Sequence, residues 1–420
     1  MRVFHAGNGQ MKNRSIFTRI IGLFICLVFI LPVFLTSCGS GDDEVVLLAD
    51  YGDYGTQIAQ TLAEEYPYRK AYSAEEKEAG AYVKSEFEKL GYKVEEQTFS
   101  SADQTGTSTN YVVKISGEGL MFLNEDGSYV NKKKQVIVGA HYDTSYGTAD
   151  AAAVPAFNGI EDNACGIGCL LALAKELRTN SMGYDVILIA FGAGGDSYAG
   201  AAAYTAGMSA DEIASTDAMY CVESIYAGDK LYASAGWNSL VPDNKYEMRR
   251  KLYEVYDVVY ENSLSSKNDV DLLYNESGLF VDVNADGTAD VYREVTLTLS
   301  DYVPFDRAGI PTVFFESYDY NYSEVSAMKE TKNLNLQAYG GMIRRTNEDS
   351  LSVLETSLPE GQLKLRINNT AFIILKAIEK GAHNSITKAA YTAGVTIPQV
   401  IHITVTKAPE ESSASSSVTP

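Results

Sequence analysis

The chain of 420 residues carries 34 basic and 55 acidic side chains, a formal charge of −21, and 45% of it is apolar. That length and apolar share suffice for a sizeable core, arranged as one large α/β domain with extensions or as two domains. An acidic surface repels phosphate backbones, so nucleic acid is not an expected partner; free amino termini and Ca²⁺ are compatible with it, but a charge total does not choose between them.

The amino terminus is a targeting segment. Lys12, Arg14 and Arg19 precede an apolar run from Ile20 to Leu35, which closes on Leu35-Thr36-Ser37-Cys38. The run is short for a membrane span and has the flanks of a secretory signal. Its end resembles the bacterial lipoprotein box, which implies loss of residues 1–37, lipid on Cys38, and a protein anchored on the extracytoplasmic face of the cell membrane. An ordinary signal peptide, or an anchor helix ending in cysteine, is the plainer alternative, and both Met1 and Met11 are available starts. Residues 38–54, with Gly39-Ser40-Gly41-Asp42-Asp43-Glu44, form a flexible tether.

Helices are predicted over 56–66 and 74–91, then extended segments over 93–99 and 109–116. Lys134 to Ala140 is a short apolar strand leading into His141-Tyr142-Asp143. A helix follows over 163–177, with Ile167, Leu170, Leu171 and Ala174 on one side, then a strongly apolar strand from Asp185 to Ala193. Met219 to Val222 and Leu231 to Ala235 are further strands, 246–260 a helix, 313–315 a last buried strand and 360–379 a closing helix. Residues 381–407 form an extension, and the Ser-, Glu- and Pro-rich stretch 408–420 reads as disordered. Cys165, Cys169 and Cys221 are odd in number, and the first two lie four apart in a helix, so they are expected to be buried thiols. Strands alternating with helices predict an α/β fold, a three-layer sandwich with a mostly parallel mixed sheet and helices on both faces. Ligands bind outside the carboxyl ends of such strands, where the polar motifs after 140, 193 and 222 fall.

Those motifs come in order. His141-Tyr142-Asp143 ends a strand, and Gly159-Ile160-Glu161-Asp162-Asn163-Ala164-Cys165-Gly166 opens a helix. Phe191-Gly192-Ala193-Gly194-Gly195 ends the next strand, and Ser300-Asp301-Tyr302-Val303-Pro304-Phe305 and Ala308-Gly309-Ile310-Pro311 follow. In this order and spacing residues 55–380 resemble metallopeptidase family 28, the di-zinc aminopeptidases and their carboxypeptidase relatives, with an insertion over about 262–292. The resemblance implies a zinc-aminopeptidase-like fold and a set of metal positions. His141 matches a histidine ligand, Asp143 the aspartate that orients it, and Asp162 an aspartate bridging two metals. Glu223 falls where the family has a later aspartate ligand. Imidazole and carboxylate suit zinc, and a bridging carboxylate holds two cations close.

Four positions depart from the pattern. Gly194 and Gly195 stand where the family has a Glu-Glu pair, general base and ligand; Arg345 stands at the final histidine, and Tyr302 replaces a histidine common after Ser-Asp. One three-ligand site on His141, Asp162 and Glu223 would survive and the second would not. The guanidinium of Arg345 would then sit near Asp162 in place of the lost cation. Asp196 is the substitute base within reach of a strand-end slip. Without the resemblance, His141 is a hydrogen-bonded structural histidine, Asp162-Asn163 a helix N-cap and Glu223 a satisfied strand-end group.

Asp282, Asn284, Asp286, Thr288 and Asp290 match the opening of a Ca²⁺ loop, with Gly287 for the tight turn, although Arg293 occupies the position that needs a bidentate acid. Tyr318, Tyr320 and Tyr322 are candidates to line a peptide or glycan groove. Three functions stay open: an aminopeptidase-like surface lipoprotein with impaired or lost activity that binds peptides or a cell-surface protein; a working aminopeptidase with one zinc ion; and a calcium-stabilised binding or scaffold protein.

Overall fold

The computed structural model describes residues 51–123, 126–144, 157–240, 245–264, 272–273, 279–281, 287, 290–292, 294–322 and 325–392. Cys38 and the 408–420 tail lie outside them, as do Asp282, Asn284, Asp286 and Thr288 of the calcium-type loop, of which Asp290 alone is described.

Helices α1 (Tyr51–Glu65) and α2 (Ala74–Lys89) lead into β1 (Val94–Ser100) and β2 (Thr107–Ile115). A hairpin of β3 (Leu120–Leu123) and β4 (Tyr129–Lys132) precedes β5 (Gln135–His141), α3 (Cys165–Leu177) and β6 (Asp185–Phe191). Then come α4 (Ala199–Ala206), α5 (Ala210–Ser215), β7 (Thr216–Val222), β8 (Lys230–Ala235) and α6 (Lys245–Glu261). The short strands β9 (Leu272–Leu273), β10 (Leu279–Val281) and β11 (Asp290–Tyr292) fall in the predicted insertion. The chain closes with α7 (Val303–Arg307), β12 (Thr312–Tyr318), α8 (Leu351–Ser357) and α9 (Gln362–Thr392).

Eight strands form one sheet in the order β1-β2-β6-β5-β7-β12-β8-β9. The four central strands β6, β5, β7 and β12 run parallel, and the antiparallel pairings lie toward the edges. Both sheet faces are apolar, as expected where helices cover each. Val136, Val138, Leu188 and Tyr220 point into the larger core beneath α1, α3 and α9, while Ile137, Ile189, Met219 and Cys221 alternate to the other face, under α4 and α7. The three-layer architecture is the one predicted.

Close backbone approach fixes the central helix. A Cβ on Gly168 of α3 would lie 2.4 Å from the carbonyl oxygen of Gly55 on α1, and one on Gly55 would meet Gly168 O at 2.6 Å. Only glycine on both helices lets them pack at that distance. α1 begins at Tyr51, inside the predicted tether, because Tyr51 packs on Phe372 of α9 and its N–H donates to Asn368 Oδ1. α9 likewise runs to Thr392, beyond its expected end, because no proline interrupts the chain before Pro398. No helix among the described residues is long and apolar enough to cross a membrane.

Candidate metal centre

The parallel strands deliver the polar motifs to one end of the sheet. His141 is the last residue of β5; the glycine turn follows β6, and Glu223 follows β7. The turn ahead of α3 brings Asp162 over the same point. His141, Asp162 and Glu223 are all buried, and their ligand atoms lie within 4.8 Å of one another. His141 Nε2 is 3.2 Å from Asp162 Oδ1 and 3.8 Å from Glu223 Oε2. The other ring nitrogen, Nδ1, lies 3.0 Å from the Asp143 carbonyl oxygen and 3.3 Å from its Oδ1, so Nε2 is the atom turned to the cluster.

The supports of each side chain are largely backbone. Asp349 accepts from the N–H of Glu161 at 2.8 Å and of Asp162 at 3.2 Å, clamping the turn that carries Asp162. Asn163 ties that turn to the end of β7: its Nδ2 donates to Val222 O at 2.9 Å, and its Oδ1 accepts from Ser224 N at 3.1 Å. Glu161 is not at the cluster; its carboxylate accepts from the N–H groups of Tyr226 and Ala227 and from the Ser317 hydroxyl. Arg69, fully buried, donates to the carbonyls of Tyr142, Asn158 and Gly159, bracing both flanking segments. Neither Asp349 nor Arg69 belongs to a motif recognisable in the sequence. Both act through long-range bonds to backbone, which leave no local pattern.

The turn at 194–195 is shaped by Asp143, whose carboxylate accepts from Gly194 N at 2.6 Å and Gly195 N at 2.9 Å. Gly194 packs directly on the imidazole: a Cβ there would lie 2.4 Å from His141 Cγ and 2.5 Å from its Cβ. Asp196 does not reach the cluster. Its exposed carboxylate accepts from the Tyr72 hydroxyl at 2.8 Å. Ala193, Ser197 and Tyr198 all take left-handed backbone angles, which swing this turn away from the strand direction.

Two arginines follow one another at the cluster. Arg345 Nε lies 3.4 Å from Asp162 Oδ2, the placement expected from the sequence. Its neighbour Arg344 is the deeper of the two: it pairs with Glu330, reaches Glu316 Oε2 at 3.0 Å and Glu223 Oε1 at 3.4 Å, and lies over the Tyr318 ring. The Ser300 hydroxyl also donates to Glu223 Oε2. Sequence reasoning singled out the second arginine and passed over the first. Tyr302 does not face the cluster; it is buried against Phe314 with its hydroxyl on Thr298 O, because the helix it opens packs under the sheet. Tyr320 stacks on Tyr318 and is buried with its hydroxyl on Glu316, so it packs the interior and leaves no ring to line a groove.

A pocket of about 260 Å³ opens over the cluster, bounded by His141, Glu223, Asp301, Arg345 and the 194–195 turn. Asp301, missed as a site residue although its Ser-Asp motif is visible, is 1% exposed, and neither carboxylate oxygen has a hydrogen-bond partner among the described residues. Burial pushes its pKa up to about 7, against the attraction of His141. Burial disfavours charge on His141, but the carboxylates of Asp143 and Asp162 outweigh it and hold its pKa well above the ordinary value. Burial raises Glu223, and burial also opposes charge on Asp162, yet His141 and the arginines hold Asp162 far below the usual carboxylate range.

The donor set fits a divalent ion. One imidazole nitrogen and two carboxylates converge, and among the described residues the buried Asp162 Oδ1 faces only His141 Nε2. Three such ligands with a fourth position open are what a catalytic zinc site requires. Fold and cluster together define an α/β protein with an aminopeptidase-like fold and a candidate metal site. The chain belongs to peptidase family M28, whose model matches residues 125–342. It is 23% identical over 379 residues to the alkaline phosphatase isozyme conversion protein of Escherichia coli K12, covering 88% of this chain and 98% of that one. Among solved structures it resembles BSAP, a zinc aminopeptidase from Bacillus subtilis (TM-score 0.53, 13% identity, 79% of this chain and 95% of that one). A glutaminyl cyclase from an Acidobacteriales bacterium is similarly alike (TM-score 0.55, 17% identity, 80% and 96%). At such identities the two structures speak for the fold alone.

Proposed function

We propose that this protein is a surface lipoprotein whose M28 domain holds one zinc ion on His141, Asp162 and Glu223, binds peptides, and has impaired or lost aminopeptidase activity. The observation that carries this reading is the turn after β6. No carboxylate arises at 194 or 195, and the space a side chain at 194 would enter is filled by the His141 ring. The family's proton acceptor and the ligand for a second ion are therefore both missing. A bound zinc would supply Lewis-acid polarisation of a ligand carbonyl. The chain's own residues hold the imidazole through Asp143, fix Asp162 through Asp349 and set a cation, Arg345, beside it.

The working single-zinc hydrolase is the second reading, and Asp301 is the observation that favours it. It lines the pocket, its oxygens have no partner among the described residues, and its raised pKa suits a proton acceptor near neutral pH. The two readings separate in one experiment on the purified mature protein. Metal analysis is expected to give one zinc per chain, falling to near none in His141→Ala. Aminoacyl nitroanilide hydrolysis is expected to be at least about 100-fold below that of a complete di-zinc relative, the scale of a lost general base. Two ions per chain would sink the proposal. Brisk turnover abolished by both chelation and Asp301→Asn would replace it with the second reading.

The anchor is supported by the signal-like run ending in Leu35-Thr36-Ser37-Cys38. Cys38→Ser is expected to abolish radiolabelled palmitate incorporation and move the protein from the membrane to the soluble fraction. Unchanged labelling would refute lipidation at that residue. A calcium role rests on the 282–290 sequence pattern alone.

A further inference from the structure

We propose that the pocket takes a ligand carboxylate, the carboxyl terminus of a peptide, and that Arg345 is the residue that holds it. This rests on the reading of the cluster as a zinc site. Arg345 borders the pocket with half of its side chain exposed (50%), while the Asp162 carboxylate it touches is 1% exposed. Only Nε is engaged by Asp162; among the described residues no other hydrogen bond is made by the guanidinium. Arg344, by contrast, is committed to Glu330, Glu316 and Glu223. The pair divides the work: Arg344 neutralises buried acids, and Arg345 keeps donors for something that enters from outside.

Arg345 also has a left-handed backbone, φ 60°. A long β-carbon side chain rarely adopts it, and such conformations persist where the surroundings enforce them, often at functional sites. Its planar fork matches a carboxylate with two parallel hydrogen bonds, a geometry lysine does not offer.

Charge balance points the same way. An ion on His141, Asp162 and Glu223 would draw on the Asp162 charge that Arg345 otherwise offsets, which frees the Arg345 guanidinium for an entering anion. An incoming ammonium would meet zinc and guanidinium; an incoming carboxylate would meet both favourably. No acidic side chain arises at 194 or 195 to meet an ammonium, and Arg345 presents a fixed cation at the pocket. At about 260 Å³ the pocket has room for one terminal residue.

Isothermal titration with N-acetyl-leucine, N-acetyl-leucinamide and leucinamide tests this, with zinc content measured on each sample. The acid is expected to bind at least about 10-fold tighter than either amide, in keeping with a charge-assisted pair. Arg345→Gln should remove that preference at equal zinc content, and Arg345→Lys should keep part of it. A preference for leucinamide would overturn the proposal. So would a preference for the acid that survives Arg345→Gln, which would place the carboxylate on the metal alone. Zinc uptake with no Arg345-dependent preference sinks this inference and leaves the metal reading standing. The preference in a protein that takes up no zinc does the reverse.

Discussion

Gly194→Glu is expected to weaken zinc uptake, although it restores the family's residue type at that position. The Cβ would have to sit 2.4 Å from His141 Cγ and 2.5 Å from its Cβ, distances that real contacts do not reach. The ring cannot simply tilt away. Asp143 holds Nδ1 on one side, and Nε2 already lies 3.2 Å from Asp162. Nor can the turn retreat without cost, since Gly194 N and Gly195 N both donate to the same Asp143 carboxylate. Either His141 leaves its place or Asp143 lets go of the ring. Loss of such an orienting contact typically costs 10–100-fold in metal affinity, so a drop of at least about 10-fold is expected in competition titrations with a zinc chelator. The same collision bears on the triple variant Gly194→Glu, Gly195→Glu, Arg345→His, which from the sequence alone should regain a second ion. Two zinc ions in that protein would show that the turn adapts and would remove the steric argument for a single-ion site.

The elements that carry the site were legible because each has a local signature. The central strands are apolar on both faces, and α3 is apolar and buried from Cys165 through Ala174. The three candidate ligands sit where an apolar strand, or the turn before an apolar helix, meets polar residues. The hairpin at 120–132 and helix α4 were not read. Leu120–Leu123 is too brief to show a period, and Ala199–Ala206 consists of small residues apart from Tyr204, with no apolar stripe. Helix α5 did have a signal: Ser209 and Glu212 form a reciprocal capping box. Arg344 and Asp349 lack a local signature for a different reason: their roles arise from partners distant in the chain, such as Glu316 for Arg344 and Glu161 for Asp349. Asp196 failed in the opposite sense: it is close in sequence to the site, but three left-handed residues turn its carboxylate out to Tyr72.

Asp217→Asn is expected to be strongly destabilising while leaving zinc uptake intact. Asp217 lies near the start of β7, at the end of the sheet opposite His141. Its side chain is 4% exposed and takes Arg250 at 2.6 Å, Lys251 at 3.0 Å and Lys134 at 3.2 Å, with the Tyr184 hydroxyl on the same carboxylate. Lys251, wholly buried on α6, has Glu254 at 2.8 Å as its other carboxylate. The network therefore ties α6 to the sheet through a cation that cannot reach water. Breaking a buried pair by removing one partner costs about 3–5 kcal/mol, which for a domain of this size is a fall in Tm on the order of 5–10 °C. A double-mutant cycle with Lys251→Met, followed by thermal unfolding, measures the coupling between the two groups. Purely additive losses would mean that the network adds nothing beyond packing. The pH dependence has a definite sign. Burial opposes the charge on Asp217, but Lys251 and Arg250 more than compensate and depress its pKa well below the ordinary 3.8. A depressed carboxylate stabilises the fold above its unfolded pKa and loses that contribution as pH falls toward its folded one. The gap between wild type and Asp217→Asn should thus be full at pH 7 and shrink below about pH 4, where the unfolded chain takes up the proton that the native network refuses.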